Sequence, residues 1–190
     1  MISAFRPKHA LWVVLLAIAM VAAYAGLLRA TGNFHVVVPH ELYRSAQPTP
    51  RELRGYIRDY GIKTVVNLRG PNPKRGWYRE EVAVTEEMGA THIDFGMSAR
   101  QILTPEKAEK LVAIMRDAKK PILVHCEGGA DWSGLISAIY VSEIAHKGEW
   151  AAESQLSILY GHFGIPLLVA AYAMDESWER LEPTFGFNDS

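Results

Sequence analysis

The chain holds a single cysteine, Cys126, in 190 residues, so an intrachain disulfide is excluded and the thiol is either a buried apolar filler or a working group. It also lacks a charge surplus. Against 20 Lys and Arg stand 21 Asp and Glu, without the positive excess that sequence-independent nucleic-acid binding needs, so nucleic acid is not an expected partner. Histidine offers no ligand cluster. His40, His92 and His162 have no second histidine or cysteine at ligand spacing on the same element, and no metal site is expected. Internal repeats are absent, and the length suits one well-buried domain better than two.

What is present begins with an uncharged run, Ala10 to Leu28, behind Arg6, Lys8 and His9. As a helix it extends about 28 Å, close to the hydrocarbon thickness of a bilayer. The positive flank predicts a cytoplasmic N-terminus and a domain on the periplasmic or extracellular side. A cleavable signal peptide competes, with its core at Leu11 to Val21 and a small-x-small site at Ala23-Tyr24-Ala25; it would leave the protein secreted or periplasmic. The apolar run continues past that site through Leu28, which favours an anchor over residues 1–30 and a folded domain over residues 31–185.

In the domain, Asn33–Val38 and Glu41–Pro48 read as β segments. Thr49 opens a helix with Pro50 at its first position and Glu52 completing a capping box, and Gly61 stops it. Lys63–Arg69 is a β-branched strand, Trp77–Met88 a second helix closed by Gly89, and Thr91–Phe95 a strand expected beside the cysteine strand. Thr104 caps a helix from Pro105 that shows Ala108, Leu111, Val112 and Met115 on one face. Pro121–Cys126 is a continuous apolar run suited to a central strand, and helical periodicity fills most of Ser133 to about Leu181, broken near Gly148 and at Gly164 to Pro166, with Ile165–Met174 long enough for a core helix. Strands alternating with helices predict an α/β fold: a mostly parallel central sheet flanked by helices, preceded by the N-terminal transmembrane helix.

Parallel sheets bind ligands beyond the carboxyl ends of their strands, where Cys126 stands, immediately before a helix expected from Ser133. Backbone N–H groups from Glu127 to Trp132 can curl into an anion nest, and the helix adds a positive dipole end. Gly128 and Gly129 permit the close approach. Such surroundings favour a thiolate.

The stretch "HCEGGADWS" resembles the His-Cys-x5-Arg-Ser/Thr loop of the cysteine-dependent protein tyrosine and dual-specificity phosphatases. With "LYRSAQP", "GIKTVVNLRG", "WYREE", "DFGMSA" and "SILYGHF", the likeness to a bacterial dual-specificity-type phosphatase spans Phe34 to Phe163. The resemblance implies a phosphomonoester hydrolase with Cys126 as nucleophile through a phosphocysteine, and no metal or other cofactor. Glu127, Gly128, Gly129, Ala130, Asp131, Trp132 and Ser133 would be the phosphate loop. His125 would shape that loop, and Ser133 would support departure of the thiolate. The substrate would be a phosphoprotein, a phosphoinositide or another phosphomonoester.

One position departs from the pattern: Trp132 stands where the family carries arginine. Arginine grips two phosphate oxygens in a planar fork, whereas indole offers one neutral donor and a bulky ring expected over the pocket mouth. Losing such stabilisation costs on the order of 10²–10⁵ in rate, so impaired turnover is expected, and a binding module without turnover is the alternative. For the general acid, Asp94, 32 residues before Cys126, is favoured over Asp131. Arg44, Arg69, Lys74, Arg75, Arg79 and Arg100 are the cations able to meet a phosphate; Arg100 is the one expected to replace the clamp in part. Tyr160, His162 and Phe163 are expected to pack the C-terminal helices. A rhodanese-like sulfur carrier, which also places cysteine between strand and helix, is disfavoured by the His-Cys pair.

Overall fold

The computed structural model describes residues 7–98, 101–164 and 171–187. A long helix, α1 (Pro7–Ala30), leads into β1 (His35–Val38) and β2 (Leu42–Ser45). The segment from Ala10 to Ala30 is the one helix among the described residues long and apolar enough to cross a membrane, a test that a signal sequence also passes. Then come α2 (Pro50–Tyr60), β3 (Thr64–Asn67), α3 (Gly76–Glu87), β4 (Thr91–Asp94), α4 (Pro105–Asp117), β5 (Ile122–His125) and α5 (Asp131–Glu143). The short α6 (Glu149–Glu153), a 3-10 turn at Ile158–Tyr160, α7 (Tyr172–Leu181) and a 3-10 turn at Glu182–Phe185 complete the chain.

The strands form one sheet in the order β1-β2-β5-β3-β4, parallel except for the β1–β2 pair. This is the expected α/β architecture, with β5 at its centre and wholly buried. Alternation splits the core. Ile122 and Val124 face a cluster with Leu111, Met115, Leu135 and Ile139, while Leu123 faces another with Leu53, Ile57, Val65 and Val84. At α2 the sequence signals act as expected: Thr49 and Glu52 form the reciprocal capping box, and Gly61 closes the helix at φ 67°.

Two expectations need correction. The Thr91–Phe95 segment does not neighbour the cysteine strand; β3 lies between β4 and β5, because its TVVN run is buried on both faces whereas β4 is only half covered. The helix after the cysteine starts at Asp131 rather than Ser133, since Gly129 at φ 70° makes the turn early and an acidic residue suits the first helical turn. The break expected near Gly148 is present, between the end of α5 near Ile144 and the start of α6 at Glu149; irregular backbone and a 3-10 turn follow, and most of the break expected at Gly164 to Pro166 lies outside the described residues. Most of the expected core helix at Ile165–Met174 lies outside the described residues, apart from the start of α7.

Candidate active site

Beyond the carboxyl end of β5, the chain turns from Cys126 through Gly129 into α5. The carbonyls of this turn are all held from behind. Glu127 O accepts from the Gln47 N–H at 3.3 Å, and Gly128 O from Asn33 Nδ2 at 3.0 Å. Arg44 Nη2 donates to Gly129 O at 3.0 Å and Ala130 O at 2.8 Å, while its Nη1 donates to Gln155 O at 2.8 Å. Across a planar trans peptide, C=O and N–H point in opposite directions, so fixing four carbonyls behind the loop turns the amides of residues 128 to 131 forward. The Gly129 N–H reaches Cys126 Sγ at 3.2 Å. Among the described residues, the amides of Gly128, Ala130 and Asp131 donate to no backbone carbonyl.

Arg44 is fully buried on β2, so its expected role as a substrate-facing cation is corrected: it is a brace. Its guanidinium lies 4.4 Å from the centre of the Tyr160 ring. Burial lowers it to about 10, partly offset by Cys126, Tyr160 and Asp131. Gly129 permits the close fit; a Cβ there would run into Ala46 N and lie 2.7 Å from Ser45 C.

Cys126 is 7% exposed and sits in a pocket of about 330 Å³ with Arg69, Met97, Glu127, Asp131 and Trp132. Ser133 Oγ is 3.6 Å from Sγ. Trp132 does not lie across the mouth: its ring, also 7% exposed, packs into the core and forms one wall, because the first turn of α5 directs it inward. Its Nε1 has no hydrogen-bond partner among the described residues. The cation present in this pocket is Arg69, stacked 3.9 Å over the Trp77 ring and tied to Gln47 Oε1 at 3.0 Å. Lys74, Arg75 and Arg79 are exposed and line no part of it, and Arg100 lies outside the described residues.

Asp94 ends β4, with Oδ1 accepting from Asn67 Nδ2 at 2.8 Å and Oδ2 from Tyr78 Oη at 2.5 Å. It does not line the thiol pocket. That hydrogen bond, with some burial, pushes Tyr78 up to about 12. Asp131 does line the pocket, and its Oδ1 is 2.8 Å from His162 Nδ1. His162 Nε2 is 2.9 Å from Asp175 Oδ1 on α7, so both ring nitrogens face carboxylates and act as donors of an imidazolium. Burial pulls His162 down, but the two carboxylates outweigh it and raise its pKa. His162 thus packs the C-terminal helices as expected and also touches the loop, which was not foreseen.

Sequence reasoning passed over Asn33, Gln47 and Glu81. Glu81 is buried on α3, with Oε1 2.8 Å from His92 Nε2 and 3.1 Å from His125 Nε2, and Oε2 2.5 Å from Gln47 Nε2. Burial alone would push its carboxyl up; these partners overcome that and hold it at about 2. The available signal was its spacing: Glu81 shares the inward face of α3 with Val84 and Thr85, where an unpaired carboxylate is not tolerated.

A mostly parallel α/β sheet with a thiol under a forward-facing nest of amides defines a protein of the cysteine phosphatase class. The chain belongs to the family described as DSP-PTPase phosphatase fused to NAD+ kinase, whose model matches residues 28–160. Among solved structures it is similar in fold to P. aeruginosa TpbA, at TM-score 0.61 and 18% identity over 83% of this chain and 92% of that one. The core catalytic domain of the PP-IP phosphatase SIW14 from S. cerevisiae is similar at TM-score 0.59 and 19% identity, over 83% of this chain and 94% of that one. Tk-PTP in its active form gives TM-score 0.56 and 19% identity, over 80% and 97%. No curated protein matches the chain.

Proposed function

We propose that residues 31–185 are a phosphomonoester hydrolase domain carried by a membrane anchor at residues 1–30, with Cys126 as nucleophile. The observation that carries this reading is the loop itself, with its carbonyls braced behind and its amides and the sulfur turned forward. TpbA has been crystallised with pTyr, which agrees with a phosphate ester in such a socket.

In the first step the thiolate attacks phosphorus, the P–O bond to the leaving group breaks, and the leaving oxygen takes a proton. The His162 imidazolium supplies that proton through Asp131, whose carboxylate it faces, in place of Asp94, whose oxygens are engaged by Asn67 and Tyr78. In the second step water attacks phosphorus, its proton returns to Asp131, and the S–P bond breaks to release orthophosphate. Ser133 beside Sγ supports the departing thiolate. Arg69 offers the pocket's positive charge, but it lies on β3's trailing loop and not on the phosphate loop, so turnover is slow.

The burial of Trp132 in the core favours a second reading, phospho-ligand binding without turnover. Phosphate release from 4-nitrophenyl phosphate by the full chain in detergent separates the two. Slow release that Cys126→Ser abolishes, raised about 100-fold or more by Trp132→Arg, supports the hydrolase. A folded Trp132→Arg variant that releases none, while phosphate binding survives Cys126→Ser, establishes the binding module instead. The positive charges ahead of the apolar run support a domain outside the cytoplasm, and protease accessibility of the domain in sealed spheroplasts tests it.

A further inference from the structure

The thiol pocket opens into a larger groove of about 790 Å³, and the two share Arg69, Glu127, Gly128 and Asp131. The far wall of that groove is α1 itself, through Val21, Tyr24, Ala25 and Leu28. This wall is docked on the domain: Tyr24 Oη donates to Leu159 O at 2.5 Å, and Tyr24 and Leu28, one turn apart, are both half-buried. Leu28 is two residues from the end of the apolar segment at Ala30, about 3 Å along a helix axis. Tyr24 and Arg29 are the residue types that settle at the headgroup level of a bilayer. Beside them the domain exposes Ile158, Leu159 and Phe163, an apolar rim continuous with α1.

From this juxtaposition, which rests on the anchored-hydrolase reading above, we infer that the substrate class is a membrane lipid carrying a terminal phosphomonoester. Its acyl chains lie along α1, Arg29 at the groove's edge meets the headgroup, and the phosphate reaches the loop. Hydrolysis breaks the P–O bond to the lipid oxygen, which takes a proton; water supplies the new oxygen of orthophosphate, and a neutral alcohol lipid remains. A soluble phosphopeptide would have to lay its backbone between the domain and the headgroups.

The test uses the full chain, as wild type and Trp132→Arg, in phosphatidylcholine nanodiscs containing phosphatidic acid, with Cys126→Ser as blank. Phosphate release is compared with that from glycerol 3-phosphate, a phosphotyrosine peptide and 4-nitrophenyl phosphate. Phosphatidic acid is turned over at least about 10-fold faster than glycerol 3-phosphate, since each methylene buried against α1 is worth about 4-fold and two suffice. Ala25→Trp, which narrows the α1 wall, cuts the lipid rate about 5-fold more than the 4-nitrophenyl phosphate rate. Equal rates on lipid and glycerol phosphate, or a preference for the peptide, overturn the proposal while leaving the hydrolase reading intact. If no ester is cleaved, the hydrolase reading falls and lipid binding decides this one. Fluorescent phosphatidic acid enriched around Cys126→Ser over fluorescent phosphatidylcholine upholds it, and equal partition overturns it.

Discussion

Behind the loop from Cys126 to Ser133, two side chains and one backbone amide are spent on holding carbonyls: Asn33, the Arg44 fork, and the N–H of Gln47. In front of it, the position where the phosphate-loop pattern calls for arginine holds an indole folded into the core, and Arg69 arrives from another element. On the proposed reading, shaping an anion socket and stabilising an in-line transition state are separate tasks done by separate residues, and only the first is fully provided. Removing the brace should therefore hurt most. Arg44→Met strands the Gly129 and Gln155 carbonyls, while Ala130 O keeps the Gly134 N–H; each lost bond to a charged donor is worth about 1.5–3 kcal/mol, so a stability loss of about 4 kcal/mol in urea unfolding is expected. Cys126-dependent turnover should fall about 1000-fold as the amides lose their aim. Arg44→Lys keeps the charge but not the fork and should fall between the two. Unchanged turnover in a folded Arg44→Met protein would erase the distinction between the two faces.

Trp132→Arg probes the front, and its two effects should have opposite signs. Turnover rises about 100-fold, while stability drops by about 2–4 kcal/mol because the core loses a large ring and must release or bury a cation. A variant that is both faster and no less stable would mean the indole contributes nothing to the core. Asn33→Ala is the milder test of the back face: it frees Gly128 O and Tyr160 O, and should cost about 1–2 kcal/mol and about 10-fold in rate. An effect on stability without any on rate would make Asn33 a tether for the Tyr160 segment alone.

The fold was legible because its signals are local. Thr49 with Glu52, Thr104 with Pro105, and the unbroken ILVH run of β5 each declare an element within a few residues. Strand order was less so, since the 4-residue β4 resembles β3 in sequence and only burial on both faces separates them. At the site, Cys126 and its glycines were visible because loop chemistry is contiguous. The brace was not: Asn33, Arg44 and Gln47 lie 79 or more residues before the loop, and nothing local marks a polar residue that faces a carbonyl rather than substrate. His162 was assigned to packing for the same reason, as Asp131 and Asp175 come to it from two different helices.

The two faces also titrate in opposite directions, which gives the smallest but most separable prediction. Glu81, behind β5, is held at about 2 against an ordinary 4.5, so its contribution is complete above pH 4.5 and is lost as pH falls toward 2. His162, at the front, is raised above its ordinary 6.5, so its contribution is complete below pH 6.5 and is lost as pH rises through the raised value. Urea midpoints measured across this range should fall on both the acid and the alkaline side. His162→Gln should flatten the alkaline side by about 1 kcal/mol and leave the acid side as it was, because no shared partner couples the two clusters. The same substitution slows release of a poor leaving group more than that of 4-nitrophenolate if Asp131 and His162 hold the proton for the leaving oxygen. Equal slowing of both esters would reduce the pair to a strut between α5 and α7.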